Sequence, residues 1–385
     1  MKIIVVTNLY PPFARGGAEY VAQLTVEGLR RLGHDVVVLT ATPCAGLFAL
    51  WPTLSLEEGV RVYRWYPLNL YFIANAARYP AWLRTIWTML DLFNMHSWLV
   101  ARWILSQERP EVIISHNLKG LGYTLPRLLA RRTSRYIHVL HDVQLAYPTG
   151  LLYPETMAKI LQQPMSKLHI AITRWLLGTV PNIVSPSNFL LKFYRGLNFF
   201  ESATVRLVVN PVALGEASQQ HEGINVVFVG QLEYSKGIDV LLEVWNEIKS
   251  VGATLHVVGD GSLRMVVEAK TAQSATIIYH GRLDGEALEV VWRQADILVL
   301  SSRCLENAPI VISEALARGC AIVASDVGGV RELAMYSSKC RLVPPGDVSA
   351  LAQALIAVIE TCQHGERPAI VLQPKPEEYV TRLLS

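Results

Sequence analysis

Residues 297–319 read ILVLSSRCLENAPIVISEALARG, and this segment indicates the fold class. It opens with Ile297–Leu300, a short apolar run typical of a strand that is buried on both faces of a parallel sheet. Beyond an irregular loop, Asn307 can cap a helix and Pro309 is acceptable in its first turn. Gly319 then supplies a stop signal for that helix. A buried strand followed by a helix is the repeating unit of α/β proteins.

The same alternation of apolar runs and helical segments continues over almost the whole chain. The predicted strands are 3–7, 36–40, 112–115, 135–140, 182–185, 225–229, 254–258, 277–279, 297–300 and 321–324. A chain of 385 residues is too long for one ordinary core, which favours two domains of about 150 to 200 residues. We therefore expect two Rossmann-like domains with doubly wound parallel sheets, facing each other across a cleft.

The predicted domain boundary lies at Asn210–Pro211 and the polar segment 215–223, where the apolar periodicity lapses before a new strand. The first domain then spans residues 1–210 and the second spans residues 211–365. Residues 366–385 form a separate tail.

Composition and charge exclude several classes of protein. Hydrophobic residues make up 51% of the chain and charged residues 17%, as in compact globular proteins. Five scattered cysteines without a CxxC pair argue against a disulfide framework or a zinc site. The chain runs from Met1 directly into a strand pattern without a signal peptide, and charged residues interrupt the apolar segment 82–105. We expect a cytoplasmic protein without a membrane span.

The charge is unevenly distributed. Residues 1–210 carry 21 Lys plus Arg and 11 Asp plus Glu, a net charge of +10, whereas the remainder carries 14 and 21, a net charge of −7. No nucleic-acid-binding motif accompanies this excess, so it indicates either an anionic substrate or membrane surface, or only a solvated basic face.

An aromatic and basic segment lies within this first half. Its members are Trp65, Tyr66, Tyr71, Arg78, Tyr79, Trp82, Arg84, Trp87, Trp98, Arg102 and Trp103. The mixture suits a membrane interface, and its helical spacing equally fits a packed core.

Residues that bind ligands in doubly wound sheets directly follow strands. Glu306 lies before the helix predicted after 297–300, and Glu314 lies within it, so the two carboxylates can reach different hydroxyls of one extended ligand. The first-turn amides of that helix suit a diphosphate. Either glutamate alone could equally be a surface or capping carboxylate.

Together with residues 325–332, SDVGGVRE, the segment 301–315 resembles the signature of the retaining glycosyltransferases of family 4, the group 1 glycosyl transferases, which have the two-domain GT-B fold. The resemblance extends over nearly the whole chain. It implies that Glu314 binds the ribose of a nucleotide and Glu306 holds hydroxyls of the donor sugar. The residues that would receive the phosphates are Asn307, Ala308, Pro309 and Ile310, in place of the Gly-Phe-Gly of many members.

A second family element follows the strand 225–229 and reads GQLEYSKG over residues 230–237. Taken alone, a glycine-bounded loop with one lysine is a plausible phosphate clamp and also a common surface loop. The family pairs Lys236 with an arginine that is replaced here by Gln231. The leaving group therefore loses one positive charge, so Lys236 and the helix amides carry most of the stabilisation, with Arg15 and Arg282 as further candidates.

In the first half, Gly16 and Gly17 follow the first strand and open a helix without matching the GxGxxG dinucleotide fingerprint. The resemblance places them near the donor phosphates and the acceptor. Single histidines are more often structural than catalytic, but His116 and His141 both follow strands. By resemblance His141 lies beside the donor sugar, whereas His116 and Arg15 are assigned to the acceptor side.

Two further positions follow strands of the second half. Gly259 begins a loop that resembles the family's loop beside the nucleotide, and Arg282 falls where members place the base. Turn chemistry alone would explain both.

The resemblance implies a retaining, metal-independent glycosyltransferase without cofactor. Separately, no Asp-x-Asp motif suited to a divalent ion lies near these loops. Its donor would be a UDP- or GDP-linked sugar, and its acceptor a glycan or lipid-linked hydroxyl used in cell-surface polysaccharide or glycolipid synthesis. The tail 366–385 resembles a terminal helix that returns to the first domain. The alternatives are an epimerase or phosphorylase of the same fold, and a catalytically weak nucleotide-sugar-binding subunit.

Overall fold

The computed structural model describes residues 1–14, 16–178, 180–213, 215, 222–248, 252–365 and 368–385. The chain divides into two compact units. The first contains Met1–Gly150, Ala158–Pro211 and Pro374–Ser385, and the second contains Leu151–Met157 and Val212–Gln373. Each unit is an α/β structure built on a parallel sheet, which confirms the predicted fold class. The short segment Leu151–Met157 belongs to the second unit although it precedes residue 210.

The first unit has an eight-stranded sheet in its described residues. Its strands are β1 Lys2–Val6, β2 Asp35–Ala41, β3 Thr53–Glu57, β4 Val60–Trp65, β5 Val112–Ser115, β6 Tyr136–Val139, β7 Asn182–Ser185 and β8 Thr204–Leu207. They are arranged in the order β3-β4-β2-β1-β5-β6-β7-β8, and every neighbouring pair is parallel except the antiparallel pair of β3 and β4. The central strand β1 is buried on both sides, which explains its continuous run of Ile and Val.

The second unit has six parallel strands in the residues described. They are β9 Ile224–Val229, β10 Ala253–Val258, β11 Ile277–Gly281, β12 Ile297–Leu300, β13 Ala321–Ser325 and β14 Cys340–Val343. Their order is β11-β10-β9-β12-β13-β14. The core of this unit packs the apolar side chains of β9 and β12 against the buried Trp245 and Leu355 on its helices.

Helices connect the strands of both sheets. Those of the first unit are α1 Gly17–Arg31, α2 Ala81–Leu92, α3 Met95–Glu108, α4 Leu125–Ala130, α6 Pro164–Leu177, α7 Asn188–Gly196 and α14 Pro376–Leu384, and α5 Pro154–Gln162 contains residues of both units. Those of the second unit are α8 Ile238–Glu247, α9 Arg264–Gln273, α10 Gly285–Arg293, α11 Ile310–Arg318, α12 Val330–Ala334 and α13 Val348–Gln363. Short 3-10 turns are η1 Leu47–Leu50, η2 Ile73–Arg78 and η3 Tyr234–Lys236. Within the described part of the chain, no helix is both long enough and apolar enough to cross a bilayer.

All ten predicted strands are present, but four strands were not predicted. The missed strands are β3, β4, β8 and β14, and three of them are the outermost strands of their sheets. An outer strand is covered less completely than a central one, so it does not need a continuous apolar run. In β8, for example, all four residues are at least partly exposed.

The strand order reverses beside the first strand of each sheet. In the first unit β1 lies between β2 and β5, and in the second β9 lies between β10 and β12. Ligands of open α/β sheets bind beyond the carboxyl ends of the strands at such a switch point. The loops after β9 and β12 therefore occupy the expected position for a binding site in the second unit.

The C-terminal helix α14 packs against α1 in the first unit. Gly28 of α1 allows the close approach, because a Cβ atom there would lie 2.4 Å from the carbonyl oxygen of Pro376. Arg206 also donates from Nη2 to the carbonyl oxygen of Leu383 at 2.8 Å. The close contact between α1 and α14 therefore requires glycine at position 28.

Replacing Gly28 by Ala should separate α1 from α14 and lower the free energy of unfolding by about 1–3 kcal/mol, because the added methyl group meets backbone atoms. Urea unfolding followed by circular dichroism measures the change. Gly196→Ala is the matched control, since its Cβ would have no neighbour within 4 Å among the described residues and should change stability by less than about 1 kcal/mol. Equal stabilities of the two variants would contradict the packing argument.

Candidate functional site

An ion pair joins the two loops at the switch point of the second sheet. Lys236 ends the short turn η3 after β9, and Glu306 lies in the loop after β12. The Lys236 Nζ atom is 2.6 Å from Glu306 Oε1, and Ser302 donates its hydroxyl to the same oxygen at 2.7 Å. The structure therefore brings together two residues that were predicted from separate motifs. Ser302 was missed, although it stands four residues before Glu306 in the same segment.

Two glycines allow these loops to approach one another. Gly237 has a φ of 65°, and a Cβ atom there would lie 2.0 Å from the carbonyl oxygen of Ser301. Gly328 has a φ of 61°, and its Cβ would lie 2.1 Å from the carbonyl oxygen of Glu306, which also accepts the Gly329 N–H at 2.7 Å. Only glycine fits both the left-handed conformation and the lack of space. The position of Glu306 is thus fixed by its backbone as well as by its carboxylate.

The electrostatic environment keeps Lys236 charged. Burial disfavours the ammonium group, but the neighbouring Glu306 carboxylate outweighs this effect and raises the pKa of Lys236 above its ordinary value. The adjacent Cys304 thiol is buried, which raises its pKa to about 11 and keeps it protonated at neutral pH. The site therefore holds a cation that an incoming anion can contact and a carboxylate that can accept hydrogen bonds from hydroxyl groups.

The helix α11 begins at Ile310, and the prediction that Asn307 caps it is wrong. Pro309 is the N-cap residue, with a φ of −66° and a ψ of 118°. Proline disfavours helical geometry in the residue before it, so the helix cannot start before Pro309. The extended ψ of Pro309 itself makes Ile310 the first helical residue. Among the first amides of α11, the Ile312 N–H donates to the Pro309 carbonyl oxygen at 3.1 Å. The amides before it lie at the positive end of the helix dipole, where the helix itself offers no acceptor. The helix ends at Gly319, which has a φ of 72°, as predicted.

Glu314 lies inside α11 in a different environment from Glu306. Its carboxyl group is buried, which raises its pKa to about 7 against the opposing effect of Arg318. Arg318 does not neutralise it fully, because its guanidinium donates to Glu289 Oε2 at 2.5 Å and to the backbone carbonyl of Glu314 at 3.0 Å. A carboxyl group in this state gains from a ligand that donates hydrogen bonds.

The loops after β10 and β11 contain the other predicted nucleotide contacts. Gly259 packs tightly against the backbone of Gly230, where a Cβ atom would lie 1.8 Å from the carbonyl oxygen. Gln231 is exposed on the same loop as Lys236. Arg282 follows the outermost strand β11, is half exposed and lies with Nε 3.5 Å from Asp284 Oδ2. In the sheet, β10 lies between β11, which Arg282 follows, and β9.

The first unit contains a histidine pair beside its own switch point. His116 follows β5 and His141 follows β6, and His116 Nδ1 lies 2.9 Å from His141 Nε2. Burial lowers the pKa of His116 well below its usual range and that of His141 to about 3, so both rings are neutral and one donates to the other. His138 is within β6 and shares a hydrogen bond with Ser115 Oγ at 2.8 Å, which is a structural role.

The glycines after β1 form the start of α1. Gly17 is the first helical residue, and Gly16 is the N-cap residue. The Gly16 N–H donates to Oε2 of the buried Glu19 at 2.9 Å. The prediction for Arg15 lies outside the described residues.

The sequence matches two family descriptions that together span most of the chain. Residues 16–212 match "Glycosyl transferase 4-like domain", and residues 223–361 match "Glycosyl transferases group 1". The chain belongs to the group 1 glycosyltransferases of family 4. This enzyme is 26% identical to an uncharacterized glycosyltransferase of Methanocaldococcus jannaschii over 391 residues, which cover 98% of this chain and 94% of the relative.

Two solved structures resemble this glycosyltransferase over its full length. Sucrose-phosphate synthase from Thermosynechococcus elongatus has a TM-score of 0.72 at 18% identity, covering 100% of this chain and 95% of that one. Anabaena HepE in complex with UDP-glucose has a TM-score of 0.65 at 15% identity, covering 100% of this chain and 94% of that one. The likeness confirms the predicted GT-B fold.

The raised pKa of Glu314 makes the stability of the second unit depend on pH. Its folded-state pKa of about 7 exceeds the value of 4.5 expected for an unfolded chain, so the folded state binds more protons in this window. The free energy of unfolding therefore falls as pH rises from 4.5 to about 7. A glutamine cannot ionise, so the stability of Glu314→Gln should not fall in this way. Its free energy of unfolding relative to the parent protein should therefore be higher at pH 8 than at pH 4.5, by up to about 3 kcal/mol.

Urea unfolding at both pH values, followed by the fluorescence of the buried Trp245 and Trp292, measures this difference. Glu243→Gln, which changes an exposed carboxylate on α8 of the same unit, is the control. A stability difference that does not change with pH would show that the carboxyl group of Glu314 is not desolvated.

Proposed function

We propose that this glycosyltransferase transfers a sugar, with retention of configuration and without a metal ion, from a UDP- or GDP-linked donor to a hydroxyl of a glycan or lipid-linked acceptor, in cell-surface polysaccharide or glycolipid synthesis. The observation that carries the proposal is the ion pair between Lys236 and Glu306 beside the start of α11. It places a cation, helix amides and a carboxylate at one switch point.

The diphosphate of the donor binds Lys236 and the first amides of α11. Cleavage of the bond between sugar and phosphate increases the negative charge on the diphosphate, and donors fixed at that position stabilise the transition state by several kcal/mol each. With Gln231 in place of the arginine that the family resemblance implies, these groups carry most of that stabilisation. The UDP-glucose bound to the similarly folded HepE supports a nucleotide sugar as donor.

The donor sugar and the ribose use the two carboxylates. Once the diphosphate binds Lys236, Glu306 accepts hydrogen bonds from sugar hydroxyls and keeps its contact with Ser302. Ribose hydroxyls donate to Glu314, which stabilises the ionised carboxylate and offsets the cost of its burial. We assign the nucleotide contact of Gly259 and the base contact of Arg282 to the same ligand.

From the first unit we assign His141 to the donor sugar and His116 and Arg15 to the acceptor. The hydrogen bond to His116 fixes the orientation of the His141 ring, and both rings are neutral, so His141 acts by hydrogen bonding and not as a charged acid. Attack from the face of the leaving group lets a phosphate oxygen take the proton of the acceptor hydroxyl. This route requires no carboxylate nucleophile, and the protein supplies orientation and charge stabilisation.

A thermal-shift screen with UDP, GDP, ADP and their sugars in the presence of EDTA tests the donor. One nucleotide series should raise the melting temperature, because a ligand present at 100 times its dissociation constant stabilises the folded state by about 3 kcal/mol. The shift should shrink in Glu314→Gln and persist in Glu243→Gln. The absence of a shift with every nucleotide, or a shift that EDTA abolishes, would contradict the proposal.

Product analysis with the donor so identified separates the alternatives. Transfer to an acceptor with the anomeric configuration of the donor supports a retaining transferase. Conversion of the donor alone to its epimer would indicate an epimerase. Formation of a sugar phosphate from inorganic phosphate would indicate a phosphorylase, and binding without turnover would indicate a binding subunit.

A further inference from the structure

The helix α2 exposes an apolar face. Trp82, Ile86, Leu90 and Phe93, the last of which directly follows the helix, recur at intervals of three or four residues and are all exposed, Trp82 to 65%. The opposite face buries Trp87. A helix on the surface of a globular protein normally directs its polar face outward. Here a stripe of large apolar side chains on the helix is exposed.

The neighbouring elements extend this apolar surface. On α3 the exposed large apolar residues are Met95, Leu99 and Trp103, again four apart, while Ile104 is buried. The turn η1 lies beside the start of α3, because its backbone at Leu50 is close enough to influence the pKa of His96. It exposes Leu47, Phe48 and, directly after it, Trp51. The helix α6 adds Met165, Leu168 and Trp175.

These helices lie on one face of the first sheet. The helix α4 packs against α3 on one side and α6 on the other. The connections from β4 to β5, from β5 to β6 and from β6 to β7 all advance along the sheet in the same direction. Because such connections are right-handed, their helices lie on the same face of the sheet. Across the surface the guanidinium of Arg127 on α4 lies 3.7 Å from the ring centre of Trp175 on α6.

The exposed charged side chains within the helices α2, α3, α4 and α6 are all basic. The helices α2, α3, α4 and α6 contain only two acidic residues, Asp91 and Glu108, and both are buried. Asp91 accepts the Gly120 N–H at 2.8 Å, and Glu108 is held by Arg61 at 2.7 Å. The exposed basic residues on these helices and directly after α4 are Arg84, Arg102, Arg131, Arg132, Lys167 and Arg174.

We propose that this surface, which we call the apolar–basic face, docks the enzyme on an anionic lipid bilayer. It consists of the exposed side chains of η1, α2, α3 and α6 with the surrounding Arg and Lys residues. Aromatic and aliphatic side chains enter the boundary between headgroups and acyl chains, and cations contact anionic headgroups. The positive charge beside the apolar stripes complements an anionic lipid surface. A second copy of the same face would bring like charges together, which is unfavourable.

The structure divides the aromatic residues that the sequence grouped together. Trp65, Tyr66, Tyr71 and Trp87 are buried and belong to the core, whereas Trp82 and Trp103 are exposed. The packed-core alternative drawn from the sequence therefore holds for the buried members, whereas a membrane contact stays a prediction for the exposed ones. The consequence for substrate choice rests on the proposed function: a transferase docked in this way would receive a lipid-linked acceptor from the bilayer.

Sedimentation with vesicles of equimolar phosphatidylglycerol and phosphatidylcholine, and with pure phosphatidylcholine vesicles, tests the inference. The parent protein should bind the anionic vesicles at low salt and bind them less as salt rises. Two triple variants should each lower the partition coefficient for the anionic vesicles about tenfold. One combines Trp82→Ser, Ile86→Ser and Trp103→Ser, and the other combines Arg102→Gln, Arg131→Gln and Arg174→Gln. Met265→Ser with Met335→Ser removes exposed apolar side chains from the second unit and should bind like the parent.

Equal binding by the parent protein and both triple variants, or binding that only the arginine substitutions reduce, would overturn the inference. Sedimentation velocity without vesicles provides a further check. A dimer that the triple serine variant dissociates, combined with no vesicle binding, would assign the face to a second copy of the chain and overturn the proposal. The nucleotide-induced thermal shift of the variants reports separately on the donor site, so failure of the proposed function is distinguished from failure of docking.

Discussion

The contact between Lys236 and Glu306 is the interaction on which the proposed donor site depends. It closes the switch point of the second sheet by joining the loop after β9 to the loop after β12 at 2.6 Å. Each partner alone would leave a poorly solvated charge, and the loss of one partner of such a pair is costly. The pair therefore keeps both charged groups in position while the site is empty. A phosphate can replace the carboxylate at Lys236, and sugar hydroxyls can replace the ammonium at Glu306.

The rest of the second unit supports this pair. The parallel order of the strands brings the ends of β9 and β12 together, and Gly237 and Gly328 let the loops approach at distances that a side chain would prevent. Pro309 delays the start of α11, so the loop that carries Glu306 stays irregular up to the helix. Backbone geometry that does not depend on a ligand thus holds Glu306 against Lys236.

Much of this arrangement could be predicted from the sequence, because central parallel strands leave continuous apolar runs. Edge strands such as β8 leave no such signal, since part of each residue faces solvent. Lys236 and Glu306 were recognised in separate motifs, but their direct contact depends on strand order, which the sequence does not state. The side chain of Asn307 suits a helix cap, but α11 begins only after Pro309, which is its N-cap residue.

Calorimetric titration tests the central claim most directly. The nucleoside diphosphate selected by the donor screen and the matching monophosphate are each titrated into the parent protein and into Lys236→Met. If Lys236 leaves Glu306 to bind the diphosphate, the variant should bind the diphosphate about ten- to a hundredfold more weakly, as expected for one hydrogen bond between charged groups. Its affinity for the monophosphate should change little, and Lys270→Met on α9 should match the parent protein. Diphosphate binding by Lys236→Met at the parent affinity would contradict the account.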